Sequence, residues 1–205
     1  MKIITRAVAM RNLKKAVGKD LRELAKEHGI TTYETGKQNK GWKGLVLERV
    51  AGLQTNVSKA PNGLSWELKS VSFHEVKGQL VPKETMAITM INPTELKQHS
   101  FFESHCWAKL KAIIFCAVAW HGKNADNAEL IKVTSLDFAE TDEVIQEIKA
   151  DYDFIQNKLK TKGFEVLTGA DGKWIQARTK GAGHGSTSRA FYARTALVKK
   201  IFEMA

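Results

Sequence analysis

The chain has 205 residues, 43% of them hydrophobic, and its 32 Lys and Arg against 22 Asp and Glu leave a formal net charge of +10. That length and apolar content support a substantial core, most simply one domain, and argue against a disordered or low-complexity chain. The charge excess favours a polyanionic partner, nucleic acid first. Two cysteines, Cys106 and Cys116, are too few for a disulfide framework and lack zinc-site spacing, so reduced thiols are expected. No run approaches the roughly 20 apolar residues of a membrane span, and Met1 to Met10 lacks an apolar stretch ending in a small-residue cleavage site. A cytoplasmic protein without membrane contact is expected.

The charge is segregated. Arg6, Arg11, Lys14, Lys15, Lys19, Arg22 and Lys26 make the N-terminal region basic; Lys173, Arg178, Lys180, Arg189, Arg194, Lys199 and Lys200 do the same near the C-terminus, and the stretch from Asp126 to Asp153 is acidic. Such a pattern suggests one face for DNA and one for solvent.

In chain order, Leu13, Val17, Leu21 and Leu24 recur at three- and four-residue steps, predicting one amphipathic helix from about Ala9 to His28 with Gly29 as its stop. Lys37 to Gly41 is turn-like. Trp42 to Leu53 reads as a helix with Leu45, Val46 and Val50 inward and Glu48 among apolar neighbours. A loop of turn-forming residues, Thr55 to Gly63, leads into a strand from Leu64 to Phe73. Further strands are predicted at Thr85 to Ile91, Ala112 to Ala119 and Leu130 to Leu136, and a second amphipathic helix at Thr141 to Lys160. Short strands at Phe164 to Thr168 and Trp174 to Ala177 would flank an Asp171-Gly172 hairpin turn. A glycine-rich loop, Gly181 to Gly185, precedes a final helix from Arg189 to Glu203. Helices mixed with a central run of strands predict an α/β or α+β sheet with helices on its faces.

The chemistry-bearing segment is Trp66-Glu67-Leu68-Lys69. Strand side chains alternate, so Glu67 and Lys69 would project from one face. Glu48, nineteen positions before Glu67, supplies a second acid from a neighbouring helix. Two acids and a lysine on rigid elements suit metal-assisted phosphodiester hydrolysis. An isolated Glu-x-Lys on a strand is a weak signal, because amphipathic strands produce it by chance.

Further segments give the motif weight. Lys40-Gly41-Trp42-Lys43-Gly44-Leu45-Val46-Leu47-Glu48, Glu67-Leu68-Lys69, Pro82-Lys83-Glu84-Thr85, Lys109-Leu110-Lys111, Trp174 to Lys180, and Phe191-Tyr192 follow one another in the chain. In this order they resemble the MutH and type II restriction endonuclease family of the PD-(D/E)xK nuclease superfamily, from about Lys40 to the C-terminus. The resemblance implies a restriction-endonuclease-like fold, a central mixed sheet flanked by helices, with two lobes around a DNA cleft. A catalytic lobe would occupy roughly residues 1–125 and a DNA-recognition lobe roughly 126–205.

It also implies roles. Glu67 and Glu48 would hold Mg²⁺, for which Mn²⁺ can substitute, and Lys69 would orient or help deprotonate the attacking water. Lys109 would contact a phosphate. Arg178 and Lys180 match target-reading residues, and Tyr192 and Arg194 match positions near DNA; beside these, the loop Gly181 to Arg189 would offer phosphates the imidazole of His184, the hydroxyl of Ser186 and the guanidinium of Arg189, and Lys40 is a further DNA-binding candidate. One position departs from the pattern: the superfamily's metal-binding Asp falls on Asn62, in Ala60-Pro61-Asn62-Gly63, and no Asp occurs between Asp20 and Asp126. An amide oxygen without a negative charge holds the metal more weakly, so an inactive or impaired form is expected. Asn62 is then either a substitution that traps an inactive enzyme, which we favour, or natural to a weak or dead nuclease that still binds DNA.

The resulting expectation is a sequence-specific, Mg²⁺-dependent endonuclease acting on double-stranded DNA, of restriction type because the span from Gly181 to Arg189 is short. The alternatives are a mismatch-repair nickase working with a MutL-like protein, and a catalytically dead DNA-binding module. A basic RNA-binding protein is a weaker option, since paired surface aromatics are scarce on the predicted strands.

Overall fold

The structure, a computed structural model, describes residues 4–34, 37–38, 41–53, 65–122, 128–181 and 187–204. The chain forms two compact units: one from the residues up to 84 together with 113–136, the other from 85–112 together with 137–204. The chain passes between the units three times over the described residues.

In the first unit the N-terminal helix is two helices. Helix α1, Arg6–Lys14, starts at Thr5, whose hydroxyl accepts from Val8 N. Helix α2, Leu21–Glu27, starts at Asp20, whose carboxylate accepts from Arg22 N and Ala128 N, each at 2.9 Å. Between them Gly18 N donates to Leu130 O at 2.8 Å, tying this turn to the start of a strand. Leu13, Ala16, Leu21 and Leu24 are buried, so the apolar period runs on across the break, while Val17, expected inward, is 41% exposed. Two-residue strands β1, Tyr33–Glu34, and β2, Lys37–Gln38, pair antiparallel. Helix α3, Trp42–Ala51, buries Trp42, Val46 and Leu47, with Leu47 rather than Leu45 in the core.

Strand β3, Glu67–Val76, turns through Lys77 and Gly78, both at positive φ (51° and 77°), into strand β4, Gln79–Pro82. Paired positive φ values are the hairpin geometry whose twist matches its strands. With β6, Ala112–Ala119, and β7, Leu130–Asp137, these form a sheet in the order β4-β3-β6-β7, in which β3 and β6 run parallel. Every residue of β6 is buried, as expected of an interior strand covered on both faces.

The second unit is built on β5, Met86–Met90, β8, Ile175–Thr179, and β9, Arg189–Ala193, in the antiparallel order β5-β9-β8. Short helices α4, Pro93–Gln98, and α5, His105–Leu110, and a single 3-10 turn at Phe101–Glu103 were not anticipated. Helix α6, Glu143–Lys162, buries Val144, Ile145, Ile148, Tyr152, Ile155 and Leu159 on one stripe. Helix α7, Thr195–Met204, closes the described chain.

Two expectations fail here. Arg189–Ala193, read as the start of a helix, is a strand because it pairs with both β5 and β8. Residues 164–168 form turns instead of a strand, and Asp171-Gly172 makes no hairpin. Asp171 instead accepts from Thr168 N at 2.8 Å and from Lys158 Nζ at 2.6 Å. Among the described residues no helix is long and apolar enough to cross a membrane. The architecture is mixed α+β, a curled mixed sheet flanked by helices, consistent with a restriction-endonuclease-like fold.

Candidate functional site

Glu67 and Lys69 do share one face of β3. Lys69 Nζ donates to Glu67 Oε1 at 3.0 Å, and the two residues are only 4% and 9% exposed. Their register partners on β6 are Ile113 and Phe115. Taking two charges out of water costs several kcal/mol per ion, at about the scale their mutual attraction returns, so an ion pair is a poor device for stability alone at such a position. Its value there lies in holding a carboxylate and an ammonium at a fixed spacing.

Helix α3, which carries the half-buried Glu48, packs against the same strand. Two of its approaches to that strand are to Ser70 and Ser72. Lys43 Nζ donates to Ser72 Oγ at 3.0 Å, and a Cβ at Gly44 would meet Ser70 Oγ at 4.0 Å. Ser72 N donates to the Glu84 carboxylate at 3.3 Å. Burial lowers the Lys43 ammonium pKa below its usual value; Glu84 opposes this, while Lys83 and Arg22 add to it.

Among the described residues no group of three or more His, Cys, Asp or Glu side chains is placed to hold a metal ion. Glu67 and Glu48 are hard oxygen donors on packed elements and fit Mg²⁺ or Mn²⁺ by donor type, but two carboxylates do not complete a set. Asn62, the expected third ligand, lies outside the described residues, as do Lys40, His184 and Ser186. Lys109 occupies the last turn of α5, three residues before β6 begins, and is half-buried.

The basic candidates of the second unit divide into two kinds. Arg178 on β8 is exposed; its Nη1 donates to Thr85 Oγ1 at 3.4 Å and its guanidinium lies 5.2 Å from the Tyr192 ring centroid. Burial raises the Tyr192 phenol pKa, with Arg178 opposing. Tyr192 sits on β9 rather than on the final helix. Lys180, just past β8, is exposed, and its backbone N–H donates to Ser188 O at 2.9 Å.

Arg189 and Arg194, also expected at DNA, have their guanidinium donors engaged within the protein. Arg189, 9% exposed, donates to the carbonyls of Glu165, Leu167 and Thr187 and stacks 4.9 Å from the Phe164 ring centroid. Arg194 donates to the carbonyls of Gly169, Asp171 and Gly172. Both order the 164–172 segment. Two residues were overlooked: Thr85, inside a segment already singled out, and Asp151, hidden in an acidic stretch read as solvent-facing. Asp151 lies between Ile148 and Ile155 on the buried stripe of α6, a periodicity that marks it as inward.

A family model described as the DNA mismatch repair enzyme MutH matches residues 55–151. Over 180 residues the chain is 27% identical to the DNA mismatch repair protein MutH of Escherichia coli O17:K52:H18, covering 86% of this chain and 76% of that protein. It is 26% identical over 180 residues to the Shigella flexneri protein of the same name, with the same shares covered. It is 25% identical over 190 residues to that of Salmonella paratyphi C, covering 92% of this chain and 80% of that protein.

Proposed function

Since the chain is a MutH-like member of the PD-(D/E)xK nuclease superfamily, we propose that it is a DNA endonuclease of the mismatch-repair type, cutting one strand of a duplex with a divalent cation and a MutL-like partner. The sequence had put a restriction enzyme first; the relatives are mismatch-repair proteins and favour its alternative. The observation that carries a catalytic reading is the buried Glu67–Lys69 pair on an interior strand.

In this reading the first unit does the chemistry and the second reads DNA. Glu67 and Glu48 would hold the cation, Mg²⁺ or Mn²⁺, which when bound polarises the scissile phosphate and lowers the pKa of a water. Lys69, already held at Glu67 Oε1, would orient the attacking water and meet charge developing on the phosphate. Lys109 would contact a phosphate. Arg178, held by Thr85 and stacked on Tyr192, would read a base edge, with Lys180 beside it. Asn62 in the metal-binding position would leave cleavage impaired. A cytoplasmic location would go with that reading.

The test uses closed circular duplex with Mg²⁺ or Mn²⁺ and the Asn62→Asp protein. Nicking of one strand, stimulated by a MutL-like ATPase, is the expected result. Cutting of both strands without that partner would restore the restriction reading.

A further inference from the structure

Helix α1 keeps its core contacts on one face and its cations on the other. Ala9, Leu13 and Ala16 are buried, and on that side Asn12 Nδ2 donates to Ala51 O at 3.4 Å. Ala7, Arg11, Lys14 and Lys15 follow one another at helical spacing on the outer face; all are exposed, and with Met10 they line one shallow surface depression. Lys19, at the end of the following turn, is exposed as well. None of Arg11, Lys14, Lys15 and Lys19 has an ion-pair partner among the described residues.

This is not the general basicity of the chain. Helix α1 contains no Asp or Glu, whereas α2 interleaves Arg22 and Lys26 with Glu23 and Glu27. Like charges three and four residues apart repel. The negative end of the helix dipole offsets part of that repulsion, since the cations sit in or just past the last turn. What remains is an uncompensated positive patch that concentrates anions.

The patch is also tied to the proposed catalytic strand. At the other end of α1, Arg6 Nη2 donates to the carbonyls of Ile113 at 3.2 Å and Leu136 at 2.8 Å, and Ile113 is the register partner of Glu67. With a rise of 1.5 Å per residue, Arg11 to Lys15 lie about 8 to 14 Å further along the helix axis. That is well within one turn of duplex, about 34 Å.

We propose that the outer face of α1 is a second, sequence-independent surface for duplex DNA, in which Arg11, Lys14 and Lys15 contact backbone phosphates and Lys19 lies at the edge. The inference rests on the DNA endonuclease reading above. Duplex DNA is the occupant because its phosphates supply a negative charge about every 1.7 Å of axis, enough to meet three cations grouped on little more than one helical turn. The small Ala7 side chain leaves the depression open to a backbone.

The experiment measures binding of the full chain to a mixed-sequence duplex of about 20 base pairs between about 50 and 200 mM salt, without metal, so it does not depend on cleavage. Arg11→Gln, Lys14→Gln and Lys15→Gln are combined, glutamine being as good a helix former as lysine. The slope of log K against log salt is expected to fall by about 2 to 3, and by about 1 for Lys14→Gln alone. Three exposed lysines of the second unit, Lys97, Lys160 and Lys162, changed to Gln together, should leave the slope within about one of the unmodified chain. An unchanged slope in a triple variant with native circular dichroism overturns the proposal. So does a triple variant that binds DNA normally yet no longer responds to a MutL-like ATPase, which would make α1 a protein contact. If the unmodified chain itself shows no salt-dependent binding, the DNA reading as a whole has failed, and the failure is recognisable because all four proteins then behave alike.

Discussion

Each unit of the molecule buries a carboxylate, and the two are treated differently. Asp151 on α6, 8% exposed, accepts three backbone N–H groups: Lys173 at 2.8 Å, Trp174 at 2.6 Å and Ile175 at 2.9 Å. The chain closes tightly around it, for a Cβ at Gly172 would stand 2.0 Å from Ile175 O and 3.1 Å from Asp151 Cγ. Glu67 on β3 is buried as deeply but is bonded to a side chain, that of Lys69. A carboxylate clasped by backbone donors belongs to the scaffold; one held by a lysine two residues away is, in the function proposed above, an acid and a base kept side by side for chemistry. Burial alone does not distinguish them, and the partner does.

The arginines repeat the contrast. Arg189 and Arg194 spend their donors on backbone carbonyls, whereas Arg178, stacked on Tyr192, is exposed on a strand. The first two fix the 164–172 segment, and the third leaves its guanidinium exposed on β8, as the proposed recognition role requires.

The largest effect that would sharpen this comparison concerns the scaffold carboxylate. Asp151→Asn weakens charge-assisted bonds and is expected to cost about 2–3 kcal/mol. A thermal melt would read this as a fall in Tm of roughly 4–12 °C. A Tm equal to that of the unmodified protein would remove the distinction between the two carboxylates. The smaller effect falls on recognition. Arg178→Ala should leave Tm unchanged and lower discrimination between matched and mismatched duplexes by about 1–3 kcal/mol. Binding competition with single-base variants measures it, and undiminished discrimination would deny β8 its reading role.

What the sequence disclosed follows from periodicity. Alternation put Glu67 and Lys69 on one face before any coordinates, and the unbroken apolar run from Ala112 to Ala119 marked an interior strand. The same signal misled where the period ran through an interruption: α1 and α2 share a three- and four-residue rhythm, and the bonds of Gly18, Lys19, Asp20 and Leu21 to the region of β7 separate them. Arg189-Ala-Phe-Tyr-Ala has helix-forming residues, and its pairing on both edges overrides local preference. The fates of Arg178, Arg189 and Arg194 could not be told apart, because each depends on which carbonyls or hydroxyls the fold brings within reach. α4 and α5 are too short to leave a periodic trace.

The central claim, that the buried pair on β3 is the chemical centre, is tested most directly by cleavage of mixed-sequence duplex with Mg²⁺ or Mn²⁺. The comparison is between the Asn62→Asp protein and the same protein carrying Glu67→Gln. The account predicts that Asn62→Asp raises cleavage by orders of magnitude over the unmodified chain. Adding Glu67→Gln should then remove it by at least about 10²-fold with DNA affinity little changed, while Tm falls because the buried Lys69 ammonium loses the Glu67 carboxylate. Equal cleavage by the two proteins, or an inert Asn62→Asp protein that still binds DNA, would contradict it.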